Sequence, residues 1–221
     1  MRWEPWLDLV LPRQCRGCGR AGELWCPRCA AAVAATTPSS HPAPGIPVAF
    51  AAAGPHDGLL RAAILTHKHD RNLAVRRSLV PLLGRTLAQA AVAARAVGAW
   101  RPPVLLVPVP PSALRPARTP VAELTAPLAA SLPQVVHAPV LVGARRRRPQ
   151  KGLSAVERAR NVQGAFRLRP SGVARAGVTV VLVDDVVTTG ATLVAAFEVL
   201  RASGLRPVAA IALARADAMG R

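Results

Sequence analysis

The sequence predicts an α/β fold in which a mostly parallel sheet is flanked by helices, with a small cysteine-rich module in front of it. Three observations support this fold class. Val178–Val183 is an almost wholly β-branched run, typical of a strand covered on both faces. Strand-like and helix-like patterns alternate through the rest of the chain, which favours parallel pairing. Four cysteines lie within residues 15–29, ahead of the first predicted strand.

The individual elements follow from apolar runs and from the residues that end them. The predicted strands are Val48–Ala53, Val104–Val107, Val135–Val142 with a break at Pro139, Val178–Val183 and Pro207–Ala214. The predicted helices are residues 1–14, Gly58–Thr66, Leu73–Val97, Pro120–Ser131 and Gly190–Ala202. Residues 145–161 are predicted to form a basic loop with one helical turn.

A proline-rich stretch marks the expected domain boundary. Residues 36–47 contain four prolines, which lack the N–H that regular structure needs, so we expect a semi-extended linker without helix or strand. The predicted organisation is therefore an N-terminal helix and four-cysteine module over residues 1–35, a linker over 36–47 and the α/β domain over 48–221.

The charge of the chain indicates anionic partners. The 29 basic residues outnumber the 11 acidic ones, which gives a formal net charge of +18. Such a surface attracts nucleic acid, phosphorylated metabolites or acidic lipids. The alternative is that a general bias toward arginine in the composition accounts for much of the positive charge. The sequence has no apolar run long enough to span a membrane and no signal-peptide pattern at its start, so we expect a cytoplasmic protein.

The strand predicted at Val178–Val183 leads into a candidate phosphate loop. Asp184 and Asp185 end the strand, and a short Thr- and Gly-containing loop then enters a helix near Gly190. The unpaired N–H groups at such a helix start attract an anion, and a glycine lets the backbone approach it closely. In open α/β sheets, ligands bind beyond the carboxyl ends of the strands.

The paired acids restrict what this loop would bind. Two carboxylates would repel a bare phosphate, but they can accept hydrogen bonds from two vicinal ribose hydroxyls or approach a hydrated Mg²⁺ beside a diphosphate. A sugar with a 5′-phosphate satisfies both halves of the motif. The alternative is a plain strand–loop–helix connection in which the acids only cap the helix.

The four cysteines predict a closed metal site. Their spacing is Cys15-x-x-Cys18 and Cys26-x-x-Cys29, so each pair suits a tight turn that directs two thiolates to one point. Four thiolates fit tetrahedral, structural Zn²⁺. A thiol switch at one Cys-x-x-Cys pair and an iron–sulfur cluster are the alternatives.

A four-cysteine knuckle ahead of this loop resembles the ComF/GntX family, the competence protein F group. The resemblance rests on four features: the knuckle; Val107-Pro-Val-Pro110; Gln150-Lys-Gly-Leu-Ser154 followed by Glu157-Arg158, Asn161 and Gly164-Ala-Phe166; and the motif that begins at Asp184. It implies a type I phosphoribosyltransferase-like domain that binds phosphoribosyl diphosphate with Mg²⁺. In that family pattern Asp184 and Asp185 face the ribose hydroxyls. The 5′-phosphate is wrapped by Val186, Val187, Thr188, Thr189, Gly190, Ala191 and Thr192.

Basic residues elsewhere are candidates for the rest of the ligand. Arg115 and Arg118 follow a strand end and are expected to bind the diphosphate, although the chain reads Arg118-Thr-Pro-Val121 where the family shows an Arg-Gly-Phe-Asn-like run. Lys151 and Arg158 are the further candidates for diphosphate chemistry. The segment around Lys68 fits the family pattern only loosely.

Two functions remain open at this stage. The first is a phosphoribosyltransferase of unknown acceptor. The second is a non-catalytic module that senses phosphoribosyl diphosphate or binds single-stranded DNA, for which the arginine run Arg145, Arg146, Arg147 and Arg148 is the candidate contact. The family resemblance implies a role in DNA uptake and natural transformation, with a competence helicase and a recombination mediator as partners. The five histidines are not expected to bind metal, and His41, His56 and His137 are expected at the surface.

Overall fold

A six-stranded sheet forms the centre of the part of the chain that the structure describes. The structure, a computed structural model, describes residues 13–42, 45, 47–111, 119–143, 165–169 and 178–216. Its strands are β1 (Ser39–His41), β2 (Ala49–Pro55), β3 (Val104–Pro108), β4 (Val135–His137), β5 (Leu141–Gly143), β6 (Phe166–Leu168), β7 (Thr179–Val187) and β8 (Pro207–Arg215). Its helices are α1 (Pro27–Ala34), α2 (Gly58–Asp70), α3 (Leu73–Ala96), α4 (Pro120–Ala130) and α5 (Ala191–Ala202).

The strand order of the main sheet is β1-β2-β8-β7-β3-β4. Every neighbouring pair from β2 to β4 is parallel, and only β1 runs antiparallel, on β2. The predicted fold class, a mostly parallel sheet flanked by helices, is therefore confirmed. Because β2, β8, β7 and β3 run in the same direction, their carboxyl ends meet at one edge of the sheet.

Two apolar cores cover the two faces of the sheet. On one face, Val181 and Val183 of β7 pack with α1, α2, α3 and α4. On the other face, Val180 and Leu182 pack with α5 and with the separate two-stranded sheet of β5 and β6. β7 is thus buried from both sides, which is what its β-branched sequence predicts.

The cysteine-rich segment shares the first of these cores. Cys15, Trp25 and Val33 are buried together with Leu60 and Ile64 of α2. Arg85 of α3 adds a polar link, because its guanidinium donates to the carbonyl oxygens of Ala34 and Thr36. This segment therefore packs directly on the helices that cover the sheet.

Several boundaries differ from the sequence predictions. We expected no regular structure in residues 36–47, and this is wrong for Ser39–His41. These three residues lie between Pro38 and Pro42 and form β1, which pairs with β2. The break predicted at Pro139 within Val135–Val142 is confirmed, because β4 and β5 are separate strands on either side of residues 138–140. The predictions for residues 1–12 and 144–164 lie outside the described residues. Among the described helices, none has both the length and the apolar character needed to cross a bilayer.

Candidate phosphate and acid-pair site

The acid pair lies inside β7 and not after it. β7 continues to Val187, and its pairing with β8 includes Asp184 opposite Ala212 and Val187 opposite Arg215. The sequence prediction that the strand ends at Val183 is therefore wrong by four residues, because pairing to β8 carries the strand through two acidic residues. The connecting loop is correspondingly short and consists of residues 188–190.

Gly190 joins this loop to α5. It adopts φ 74°, ψ −4°, a left-handed conformation that favours glycine, and it is the N-cap of the helix. The N-cap has no side-chain hydrogen bond, and Oγ1 of Thr189 accepts a long 3.4 Å bond from the N–H of Ala191. The first turn of α5 thus presents backbone N–H groups at the edge of the sheet.

Most of the predicted phosphate-binding residues lie around this turn. Thr188 and Thr189 are exposed, and Ala191 and Thr192 are half-buried at the start of α5. Val186 is half-buried and Val187 is buried, both within β7, so they contribute backbone and packing. The structure therefore brings the predicted loop residues and the acid pair to the same sheet edge.

The two acids have different environments. Oδ1 of Asp184 accepts a 2.8 Å hydrogen bond from the backbone N–H of Asp185. Burial, and next the negative charge of Asp185, raise the pKa of Asp184 to about 7. The carboxyl of Asp184 therefore holds its proton more tightly than an ordinary aspartate, while its neighbour Asp185 faces a cation.

That cation is Lys68, a residue that the sequence prediction left without a role. Its Nζ lies 2.7 Å from Oδ2 of Asp185, and the two side chains are 31% and 19% exposed. Lys68 extends from the C-terminal end of α2. Helical spacing does not predict a contact with a strand so distant in the chain, although the scarcity of lysine in this arginine-rich sequence is a signal. Only Lys68 and Lys151 occur.

The histidines near this edge are less exposed than expected. His56 follows β2 and is half-buried at the surface. Burial, and next the charges of Arg61 and Lys68, lower the pKa of His56. His67 is buried on α2, where its Nε2 lies 3.0 Å from the carbonyl oxygen of Pro120 at the start of α4. His41 and His137 are also half-buried.

The candidate diphosphate residues lie outside the part of the chain that the structure describes, but the exit of β3 that precedes two of them is described. The N–H of Val109, just beyond β3, donates 2.8 Å to the carbonyl of Val183, which holds the exit of β3 beside the acid pair. Arg115 and Arg118 belong to the segment that follows, and they lie outside the described residues. The predictions for Lys151, Arg158 and the run Arg145–Arg148 fall outside the described part of the chain as well.

The four cysteines form one compact cluster. Their sulfur atoms all lie within 4.8 Å of one another, and both the Cys15–Cys29 and the Cys18–Cys26 distances are 3.7 Å. A tetrahedral zinc ion with Zn–S bonds of about 2.3 Å places neighbouring sulfurs about 3.8 Å apart. The donor set and its spacing therefore fit a zinc ion held by four protein ligands.

Two thiols of the cluster have pKa values that are shifted in opposite directions. Burial raises the pKa of the Cys15 thiol, but backbone N–H groups of Cys26, Cys18 and Gly17 outweigh it and lower the pKa to about 6. Burial and the neighbouring thiols raise the pKa of Cys29. Four crowded thiolates repel one another, and a bound divalent cation removes that repulsion.

Comparison with known families separates the acid pair and its loop, which lie within a matched domain, from the cysteine cluster and Lys68, which lie before it. The sequence model of the phosphoribosyl transferase domain matches residues 83–219, which include β7, the loop and α5. A comparison with curated proteins finds no match. The cysteine cluster and Lys68 both precede the matched span.

Proposed function

The chain belongs to the phosphoribosyl transferase domain family, and we propose that it binds phosphoribosyl diphosphate, assisted by Mg²⁺, at the carboxyl end of β7. The observation that carries this proposal is the succession of Asp184-Asp185, a three-residue loop and the uncapped start of α5. The carboxylates of β7 supply hydrogen-bond acceptors, and the N–H groups at the start of α5 supply donors, at two neighbouring positions on the same edge of the sheet.

Each half of the ligand matches one side of this edge. The 5′-phosphate would take the N–H groups at the start of α5 and the hydroxyls of Thr188, Thr189 and Thr192. The ribose hydroxyls would donate to Asp184 and Asp185. With the loop only three residues long, the phosphate and ribose positions are held close together by the strand and the helix.

Mg²⁺ suits the remaining part of the ligand. It binds oxygen ligands and usually keeps several waters, and it would neutralise charge on the diphosphate. Arg115, Arg118, Lys151 and Arg158 are proposed as the protein cations around that diphosphate. The reaction proposed for the site is displacement of diphosphate from C1 of the ribose by an acceptor, in which this chain's residues contribute positioning and charge stabilisation.

Calorimetry of phosphoribosyl diphosphate, with and without Mg²⁺, tests this proposal. The parent protein should bind, Mg²⁺ should strengthen binding, and replacement of both acids (Asp184→Asn with Asp185→Asn) should abolish it. Release of diphosphate in the presence of candidate acceptor bases then separates an enzyme from a sensor. Absence of ligand heat in the folded parent protein would refute the proposed site.

The cysteine cluster supports a narrower assignment within this family. A four-cysteine cluster ahead of the phosphoribosyl transferase domain is the arrangement of ComF/GntX-type proteins, and we propose that the chain acts as one of them in DNA uptake, in the cytoplasm. The net charge of +18 favours single-stranded DNA as a second ligand, with a competence helicase and a recombination mediator as proposed partners.

A further inference from the structure

The ion pair between Lys68 and Asp185 adds a residue to the site that the family match does not include. We propose that Lys68 is a positioning residue, which holds the Asp185 carboxylate in a fixed orientation as the acceptor of a ribose hydroxyl. The inference rests on the proposed function, because it assigns a role within the phosphoribosyl site. It concerns a residue that lies before the matched span 83–219.

The burial of the pair gives it strength. The side chains of Lys68 and Asp185 are 31% and 19% exposed, so more than two thirds of each is covered. Exposed ion pairs are screened by water and salt and contribute little, whereas covered charges interact more strongly. At 2.7 Å the pair is also a charge-assisted hydrogen bond, which fixes the carboxylate in one orientation.

The face of the strand explains why Lys68 reaches Asp185. Side chains alternate along a strand, so Asp185 shares a face with Val181 and Val183, and that face packs against α2. α2 is held there by its buried residues Leu60 and Ile64. The ammonium of Lys68 is thus delivered by a helix that is anchored in the core.

Both ends of α2 have further attachments outside the sheet. Near its start, Leu59 lies so close to Gly17 of the cysteine cluster that a Cβ on Gly17 would stand 2.5 Å from Cδ1 of Leu59. Near its end, His67 contacts the carbonyl of Pro120, and Asp70 lies 3.7 Å from Nε of Arg16. The cysteine cluster and α4 therefore both constrain the helix that carries Lys68.

The position of Lys68 favours a role on the ribose side. Its partner is an acid of β7, whereas the N–H groups proposed for the phosphate lie beyond Val187, at the start of α5. The other charged or titratable groups that share this electrostatic environment are His56, Arg61, Asp57 and Asp184. Lys68 is the cation that forms a direct ion pair with the acid pair among the described residues.

The test compares ligands with and without a ribose. Calorimetry, or competition where binding is weak, would measure phosphoribosyl diphosphate with Mg²⁺, ribose 5-phosphate and inorganic phosphate on the full chain. We expect Lys68→Met to weaken both ribose ligands at least about tenfold and to change phosphate affinity less than about twofold. Lys68→Arg should restore ribose binding, because it keeps the charge. Arg71→Met is the matched control, since Arg71 ends the same helix but pairs with Glu123 of α4.

The outcomes separate this inference from the proposed function. No binding of phosphoribosyl diphosphate by the parent protein overturns the proposed function itself. Normal binding by the parent and by Lys68→Met overturns only the role of Lys68. If Lys68→Met loses affinity for inorganic phosphate as strongly as for the ribose ligands, Lys68 binds the phosphate and the positioning role is overturned. If Lys68→Met does not fold, Lys68→Gln, which keeps a donor but loses the charge, decides by the same comparison.

Discussion

The ammonium of Lys68 lies 2.7 Å from the carboxylate of Asp185, which joins the end of α2 to the strand that carries the acid pair. This contact makes the candidate site a product of two regions of the chain. The region after residue 83 supplies the acids and the proposed phosphate loop, and the region before it supplies the cation. The acid pair is consequently not a bare double negative charge, because one of its members already has a counter-ion.

Gly190 should be required for ligand binding beyond its effect on stability. Alanine there would be forced into the left-handed conformation at φ 74°, at a cost of about 1–2 kcal/mol in unfolding free energy. Its Cβ would also stand at the backbone proposed for the phosphate. We expect Gly190→Ala to lower stability by that amount and to reduce affinity for phosphoribosyl diphosphate at least about tenfold, measured by denaturant unfolding and calorimetry.

Gly204 provides the control for this substitution. It has φ 80°, lies just beyond the other end of α5, and a Cβ there would have no atom within 4 Å. Gly204→Ala should therefore cost similar stability and leave ligand affinity unchanged. Equal losses of affinity in both variants would show that strain, and not the approach of the backbone to a ligand, explains the effect.

Asp184 should make stability depend on pH. Its pKa is about 7 in the folded protein against an ordinary value of 3.8, so the folded state binds the proton more tightly than the unfolded state. Stability should therefore fall as the pH rises from about 4 to about 7. Asp184→Asn removes this loss, and we expect it to raise the unfolding free energy at pH 8 by roughly 1–3 kcal/mol, with little difference at pH 4.

Denaturant unfolding at pH 4, 6 and 8 would measure the effect. The exposed Asp57, which precedes α2, is the control, and Asp57→Asn should not reproduce the pH-dependent gain. A gain from Asp184→Asn that is the same at pH 4 and pH 8 would contradict the assignment to this carboxyl.

Loss of metal from the cysteine cluster should weaken the packing around α2. Cys18 is the exposed member of the cluster, so Cys18→Ser removes a ligand without opening a core cavity. We expect less than one zinc per chain by elemental analysis, a melting temperature lower by several degrees, and faster proteolysis within residues 13–34. Arg20→Ser, on an exposed neighbour, should change none of these. Full zinc content in Cys18→Ser would refute the four-ligand site.

Binding of single-stranded DNA should show a steep dependence on salt. Phosphate contacts release counterions, so the logarithm of affinity should fall linearly with the logarithm of salt concentration. Replacing Arg145–Arg148 with glutamine should reduce that slope by roughly 3 if each arginine contacts a phosphate. Fluorescence anisotropy across a salt series measures the slope, and replacement of Arg201, which lies on α5 beside Glu198, is the control. Affinity that does not change with salt would oppose the DNA proposal.

Local sequence patterns predicted the apolar part of β7 and the helix α5. The first five residues of β7 are all buried, and the buried residues of α5 recur at helical spacing. The patterns failed at Asp184 and Asp185, since acids are depleted in strands and resemble the start of a loop. Only the pairing with β8, in which Asp184 lies opposite Ala212, keeps these residues extended. β1 escaped prediction for a related reason, because three residues between prolines become a strand through their partner β2.

The residues of the candidate site also fall into those that the sequence predicts and those that it does not. The acids, the glycine and the cysteines occur as short motifs, so spacing alone identifies them. Lys68 and His56 come from segments with no motif, and they reach the site because β2, α2 and β7 end at the same side of the sheet. Such meetings depend on strand order, which a single sequence does not specify.

The parallel pairing of β2 with β8 has a consequence for the minimal folding unit. A polypeptide limited to residues 83–219 would begin in the middle of α3 and would lack β2, so β8 would become an open edge lined with residues that are buried in the intact chain. Exposed apolar edge strands promote aggregation. Expression of the matched span alone should therefore yield insoluble material, and autonomous folding should require the N-terminal strands and helices.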